Sequence, residues 1–355
     1  MLFEETMMKI IVIHDDINWL HSDPSGGHPE NPYRLERLLD SLRSSVQPDL
    51  CEFSRTIDPL RKVLKNIHSD EYVDFIEREC SKGFHYIDQD TYVTQHTFNI
   101  ALRYSTTIWV YASKSFEENR LVLALPRPPG HHAGYSGRAM GAPTLGFCIF
   151  NHSAVADSAL LEKTKPILHI DFDAHHGNGT QDIFWNDARV IHVDIHQHGL
   201  YPGTGWVDDI GGKDAKGSKI NIPLPPYSGD AEFVWVVENI IKQLISTYRF
   251  EAIVVSAGFD SYVNDGLAEL EFTEDSFTYI GNTLYEYYRK GVVKTIVSVL
   301  EGGYGRGLKY GFSGFIKALM GFKKINKRFV KPPPPKIYEK LRSILREYHG
   351  INIVE

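Results

Sequence analysis

The 355-residue chain has little cysteine: Cys51, Cys80 and Cys148 are odd in number and widely spaced. Such a set forms neither a disulfide framework nor a zinc-knuckle spacing, so a reducing, cytoplasmic setting is expected. Long apolar runs are missing too, since no window approaches the roughly 18 uninterrupted apolar residues of a membrane span. Met1 to Met8 carries two glutamates and no apolar signal core, so no secretory leader is expected. Met7-Met8-Lys9 directly precedes an apolar run, which leaves the natural start of translation open. A basic excess is also lacking: 38 Lys and Arg stand against 45 Asp and Glu, a net charge of −7. That balance argues for solubility and against a general nucleic-acid surface. There is no internal repeat and no basic tail. Oligomeric state is left open, and a homo-oligomer is compatible with all of this.

Buried strands alternating with helices are what the chain does contain. Residues 9–14 read as a first strand rich in β-branched residues, and residues 33–44 as a helix entered through the proline-bearing loop at His28-Pro29-Glu30-Asn31-Pro32. A helix starts at Ser69 or Asp70, and a longer one spans residues 97–114. Residues 121–125 are strand-like, 152–162 helical, 167–170 a strand, 181–185 a short helix and 190–195 a strand. Residues 231–247 form an amphipathic helix, 252–256 a strand, 273–289 a helix capped by Thr273, and 295–300 a strand. This alternation predicts an α/β protein: one three-layer α/β/α domain around a mostly parallel sheet. The catalytic domain is placed at residues 1–330. Residues 331–355 are read as a polyproline stretch, Pro332 to Pro335, leading to a surface helix at 337–348 packed on the same domain.

The richest stretch is Ile167-Leu168-His169-Ile170-Asp171-Phe172-Asp173-Ala174-His175-His176-Gly177-Asn178-Gly179-Thr180. In extended chain alternate side chains share a face, so Asp171, Asp173 and His175 can point the same way. Other strand ends are equally loaded. Arg127-Pro128-Pro129-Gly130-His131-His132-Ala133 follows 121–125, Ser256-Ala257-Gly258-Phe259-Asp260 closes another strand, and Glu301-Gly302-Gly303-Tyr304 follows 295–300. Active sites of open parallel sheets gather at the carboxyl ends of their strands, so these four groups are expected on one rim.

Asp173, His175 and Asp260 supply the three ligands of a catalytic metal site, with a position left for water. An imidazole among the ligands favours zinc over magnesium, with iron(II) or cobalt as substitutes. One histidine of the His131-His132 pair can take a proton from water and return it to a leaving amine, while the other stabilises developing charge. Asp171 and Asn178 are available to fix their tautomers. Tyr304 can donate its hydroxyl to an oxyanion. The competing readings are a salt-bridged loop for 171–176, a loop carboxylate for Asp260, a structural histidine pair and a plain Gly-Gly-Tyr turn.

Together these motifs resemble the histone deacetylase family of the arginase/deacetylase fold, above all its class II-like and prokaryotic members, including acetylpolyamine amidohydrolases. The resemblance runs over roughly residues 9–320, from His28-Pro29-Glu30 to Glu301-Gly302-Gly303-Tyr304. It implies a hydrolase that removes acetyl or other acyl groups from lysine side chains or related amines. It implies one zinc on Asp173, His175 and Asp260, His132 as general base and then acid, His131 as its electrostatic neighbour on Asp171, and Tyr304 polarising the amide carbonyl. Gly146-Phe147-Cys148 looks like the family's tunnel wall, with Phe147 facing Tyr201 of Tyr201-Pro202-Gly203-Thr204-Gly205, and Gly302 is placed in the same tunnel. Potassium is implied near Asp171 and the backbone of Asp173 and His175, and Arg34 matches a basic residue of the inner cavity.

Three positions depart from the pattern. Asn178 stands where class I members have aspartate, which leaves His132 less basic. Asp194 occupies a position often held by serine beside the potassium, and the segment from Ala133 to Thr144 is longer than in many relatives. Two alternative functions are compatible with the same fold. A binuclear manganese ureohydrolase needs a second aspartate where this chain has Gly177, and a silent acyl-lysine binder would be expected to lose a ligand, a histidine or the tyrosine. Acetylated proteins and peptides, acetylpolyamines and other small acyl amides all remain compatible substrates.

Overall fold

Every residue of Ile10–Ile13 (β1) is buried, Ile10 and Val12 on one face of the sheet and Ile11 and Ile13 on the other. Such strands are apolar throughout because helices cover both faces. A computed structural model describes residues 9–325 and 330–353; the polar start on which the leader expectation rests lies outside the described residues. After β1 come α1 (Tyr33–Ser45), β2 (Cys51–Ser54), α2 (Asp70–Ser81), a small hairpin of β3 (His85–Tyr86) and β4 (Tyr92–Val93), α3 (Thr97–Glu118) and β5 (Leu121–Ala124). A second hairpin, β6 (Ala133–Gly134) with β7 (Gly137–Arg138), precedes α4 (His152–Leu161), β8 (Ile167–Asp171), α5 (Asn178–Ile183), β9 (Val190–Gln197) and β10 (Lys219–Leu224). Next, α6 (Asp230–Val236) runs through a π-helical turn, Val237–Ile241, into α7 (Lys242–Tyr248). β11 (Ala252–Ala257), α8 (Glu274–Arg289), β12 (Thr295–Leu300), α9 (Tyr310–Leu319) and α10 (Pro335–His349) complete the order.

Eight strands form one sheet in the order β10-β9-β8-β11-β12-β5-β1-β2, parallel at each pairing. α3 and α4 pack on one face through Ile100, Tyr104, Ile108, Ala156 and Leu160. The other face carries the larger core, with Leu38 and Leu42 of α1, Leu244 of α7, Phe277 and Ile280 of α8 and Phe315 of α9. α10 adds Tyr338, Leu341 and Leu345 to that core, and its end is held by His349, 2.8 Å from the Tyr248 hydroxyl.

The expected strands and helices recur with small shifts of their ends. Ser69, not Asp70, caps α2 by accepting from Tyr72 N, and Thr273 caps α8 from Asp275 N. The short helix expected at 181–185 begins at Asn178 instead, because Gly179 lets its first turn press on the backbone of His132 and Ala133, where a Cβ would come within 2.4 Å. β2, β10 and α9 were not anticipated. Lys219 and Pro223 interrupt the apolar pattern of β10, which runs at an edge of the sheet, the place a strand tolerates proline. Gly311 and Gly314 lower the helix propensity of α9 but bring it close to α8: a Cβ at Gly314 would lie 2.6 Å from Glu274 Cγ.

Candidate active site

The strands that carry the chemistry-bearing motifs, β8, β11, β12 and β5, are consecutive in the sheet, so their carboxyl ends form one continuous rim. At its floor His175 Nδ1 lies 3.0 Å from both Asp173 Oδ1 and Asp260 Oδ2. Backbone groups orient the carboxylates: Gly302 N donates to Asp173 Oδ2 at 2.8 Å, and Ala174 N to Asp260 Oδ1 at 2.9 Å. Asp260 Oδ2 is buried and, apart from that contact with His175, has no hydrogen-bond partner. Glycines make room around the cluster; a Cβ on Gly258 would sit 2.1 Å from Asp173 Oδ2, and one on Gly302 2.3 Å from Asp260 Oδ2. One ligand atom from each of Asp173, His175 and Asp260 falls within a 4.8 Å sphere of mutual separation, the arrangement a single ion needs. Burial and the neighbouring Asp173 push the Asp260 carboxyl up in the bare chain, so a cation would relieve the repulsion.

Among the described residues, two other groups of buried donors approach the same spacing, His169 with Asp171 and His192, and His131 with Cys148 and Glu301. His169 already has both ring nitrogens engaged, with Asp157 at 2.5 Å and Ser256 at 3.0 Å. Glu301 accepts from Gly130 N, His131 N and Ser153 Oγ at 2.9, 3.1 and 2.7 Å. Its carboxylate therefore braces the loop that carries the histidine pair.

His131 and His132 are buried side by side, their ring centroids 4.1 Å apart, yet their partners differ. His131 Nδ1 donates to Asp171 Oδ2 at 3.0 Å, whereas His132 Nδ1 meets the neutral amide oxygen of Asn178 at 2.7 Å. Burial disfavours charge on both rings. Asp173 and Asp171 overcome it at His131 and hold its pKa well above the usual histidine value. At His132 burial is reinforced by His131 and His175, and the pKa lies well below that value. Two adjacent histidines thus reach opposite protonation states, the pattern expected of an acid–base pair.

A cavity of about 260 Å³ lies over this floor, lined by His131, His132, Gly146, Phe147, Asp173, His175, Tyr201, Gly302 and Tyr304 among others. Phe147 holds the left-handed backbone conformation at φ 69°, unusual for a bulky residue, and its ring meets Tyr304 edge to face at 5.8 Å. Tyr201 stands edge-on to His132 at 4.9 Å and donates its hydroxyl to Thr144 O at 2.9 Å. Gly146 allows this close approach, because a Cβ there would lie 2.6 Å from His132 Cδ2. Arg34 reaches in from α1: its guanidinium lies 4.6 Å from the Tyr304 ring centroid and Nε donates to Gly303 O at 2.7 Å.

Of the residues expected in the site, Asp171 and Asn178 sit behind the histidines, and Asp194 lies farther back. Asp194 is the register partner of Asp171 on β9; its carboxylate accepts from Gly177 N at 2.8 Å and from His196 Nδ1 at 2.6 Å. The segment before Phe147 contributes through its backbone, Ala139 O accepting from Asn178 Nδ2 and Thr144 O from Tyr201. Sequence reasoning missed the role of Glu301, which only its burial between two strand ends reveals. It also missed the fully buried Glu30–Arg127 pair, with Arg127 Nη2 2.7 Å from Glu30 Oε2, which anchors the loop behind Arg34. Both lie inside the quoted motifs, His28-Pro29-Glu30 and Arg127-Pro128-Pro129, so proximity to a motif was the available signal.

Residues 28–317 match the histone deacetylase domain. An uncharacterised protein of Methanocaldococcus jannaschii is 43% identical over 304 residues, covering 85% of each chain. A probable deacetylase of Archaeoglobus fulgidus is 35% identical over 326 residues, covering 89% of this chain and 87% of its own. Chloroplastic histone deacetylase 14 of Arabidopsis thaliana is 32% identical, over 85% of this chain and 73% of its own. Among solved structures, the HDA15 HD domain superposes with a TM-score of 0.83 at 26% identity, over 96% and 97% of the two chains. The parallel sheet with helices on both faces is accordingly the arginase/deacetylase fold. With its strand-end motifs gathered on one rim and the domain match running through all of them, the chain belongs to the histone deacetylase family, hydrolases that act on amide bonds.

Proposed function

We propose that this protein is a zinc-dependent deacylase that releases acetyl or other acyl groups from lysine side chains or related amines. The observation that carries the reading is the convergence of Asp173, His175 and Asp260 beneath a cavity walled by His132 and Tyr304. The buried Asp260 Oδ2, partnered only by His175, and the two-carboxylate, one-imidazole donor set fit a divalent ion of zinc type. When bound, such an ion lowers the pKa of a water and polarises a carbonyl. Asp171 and Asp194, fully buried register partners, fit an oxygen-coordinated potassium behind the histidines; burial pushes the Asp171 carboxyl up to about 7 in the bare chain, so a cation beside it is favourable.

In this mechanism the chain's own groups move the proton. Asn178 keeps the His132 proton on Nδ1, so Nε2 is free to take one from the attacking water and deliver it to the departing amine nitrogen as the amide C–N bond breaks. His131, charged beside Asp171, stabilises the developing negative charge, and the Tyr304 hydroxyl donates to the carbonyl oxygen. Phe147 and Tyr201 flank the methylene stem of the amine and exclude water. The core and α10 act as one catalytic unit in this reading. The three unpaired cysteines suit a cytoplasmic setting, and among the described residues no helix is long and apolar enough to cross a membrane.

The test is a panel of acetyl-lysine peptides and acetylpolyamines assayed with metal-stripped and zinc-reconstituted protein. Hydrolysis should vanish on stripping and return with zinc, and the preferred arm names the substrate class. Turnover that survives complete metal removal would overturn the mechanism.

A further inference from the structure

The loop after β12 reads Gly302-Gly303-Tyr304-Gly305-Arg306-Gly307, and its backbone converges on a carboxylate from a different loop. Asp265, five residues beyond Asp260, accepts from Tyr304 N at 2.6 Å, Gly305 N at 3.0 Å and Gly307 N at 2.6 Å. Inward-pointing N–H groups make a concave anion cradle, and here the anion is a side chain of the same molecule. The fit is close enough to demand glycine, since a Cβ at Gly307 would lie 1.8 Å from Phe259 O.

One peptide group in that loop is gripped from both ends. The carbonyl of Gly303 and the N–H of Tyr304 belong to the same planar unit. Arg34 Nε donates to the first at 2.7 Å, while Asp265 Oδ2 accepts from the second at 2.6 Å. Rotation of this unit would break both charge-assisted bonds at once. The clamp acts where the chain is otherwise freest, because Gly303 has φ 119°, a region open to glycine. The direction of the Tyr304 side chain depends on that peptide plane.

We propose that Asp265 is a positioning residue for the reaction, holding the Gly303–Tyr304 peptide against Arg34 so that the Tyr304 phenol is fixed at the cavity wall. This rests on the deacylase reading, in which Tyr304 donates to the carbonyl oxygen. Asp265 touches neither substrate nor metal ligands in this role; its effect passes through Tyr304. Asp265 is 6% exposed and Gly307 is buried, so loss of the carboxylate would leave at least the Gly307 N–H unpaired rather than hydrated.

The experiment is a cycle of four proteins: wild type, Asp265→Asn, Tyr304→Phe and the double variant, with kcat, KM, zinc content and melting temperature measured for each. The near-isosteric Asp265→Asn turns one acceptor into a donor facing an N–H; it should lower kcat about 10- to 100-fold, the scale of a small misplacement of a reacting group, with KM and zinc content unchanged. In the Tyr304→Phe background the same change should alter kcat less than about two-fold, because the residue it acts through is gone. A loss that persists undiminished in that background, or an Asp265→Asn protein with wild-type kcat, overturns the role of Asp265 alone. A wild-type protein that hydrolyses no acyl amine overturns the deacylase reading and this role with it. Asp265→Ala, assayed only where it melts cooperatively, should reproduce the same non-additivity.

Discussion

His132 and Asn178 are joined by a hydrogen bond whose direction a second bond decides. Asn178 Nδ2 donates to Ala139 O at 3.0 Å, so its Oδ1 faces His132 Nδ1 at 2.7 Å and must accept. His132 therefore carries its proton on Nδ1 and presents a bare Nε2. An aspartate in the same place would accept as well, but would add charge and favour the imidazolium.

Asn178→Asp should accordingly raise the pKa of His132. The base works only when neutral, so the acid limb of the kcat/KM–pH profile should move to higher pH by about one unit or more. A profile superimposable on wild type would separate Asn178 from the base.

If Tyr304 acts as proposed, Tyr304→Phe removes one donor to the developing oxyanion while keeping the ring against Phe147 and Arg34. Turnover should fall by about 10²- to 10³-fold, with zinc content unchanged. Unchanged turnover would remove the oxyanion role without touching the metal site.

Asp260→Asn should produce a crossover in stability. With zinc, the variant should melt below wild type and bind the metal more than about 100-fold less tightly, because a direct ligand matters more than its supporting partners. Without metal, the order should reverse, since a buried carboxylate and its repulsion with Asp173 are gone. Chelator competition and calorimetry of both forms check the two halves.

Acid should weaken the fold partly through His68. Its Nδ1 donates to Gly134 O at 2.8 Å and its Nε2 accepts from Asn151 N at 2.9 Å, so the buried ring must be neutral. Burial lowers its pKa to about 4 from 6.5. Below pH 6.5 the unfolded chain takes up a proton that the folded one refuses, so stability falls with falling pH until about pH 4. The full loss is about 3 kcal/mol. Denaturant unfolding of wild type and His68→Gln between pH 7 and pH 4 should show a steeper pH dependence in wild type; equal slopes would exclude His68 as the source.

Much of the architecture was legible because its strands are buried on both faces and read as predominantly apolar runs, Ile167-Leu168-His169-Ile170 and Thr295-Ile296-Val297-Ser298-Val299-Leu300 among them. β10 and α9 were not. Lys219 is buried within β10 because its Nζ reaches Val190 O at 2.9 Å and Ser218 Oγ at 2.8 Å, a compensation no local pattern announces. The glycines of α9 argue against a helix until α8 stands against them. In the site, donors placed two residues apart, such as Asp171, Asp173 and His175, could be read directly. Asp265 could not, since a carboxylate in a loop acquires meaning only from the N–H groups that meet it.

The sequence by itself determined which chemical groups stand at the strand ends and which runs of residues must be buried, because both follow from residue type and short-range periodicity. The tertiary structure alone decided how those groups divide their work. Sheet order placed β11 and β12 between β8 and β5, so Asp260 and Tyr304 reach a site begun more than 80 residues earlier in the chain. Packing then set His131 beside two carboxylates and His132 beside His131 and His175, and electrostatics in a dry interior moved their pKa values in opposite directions.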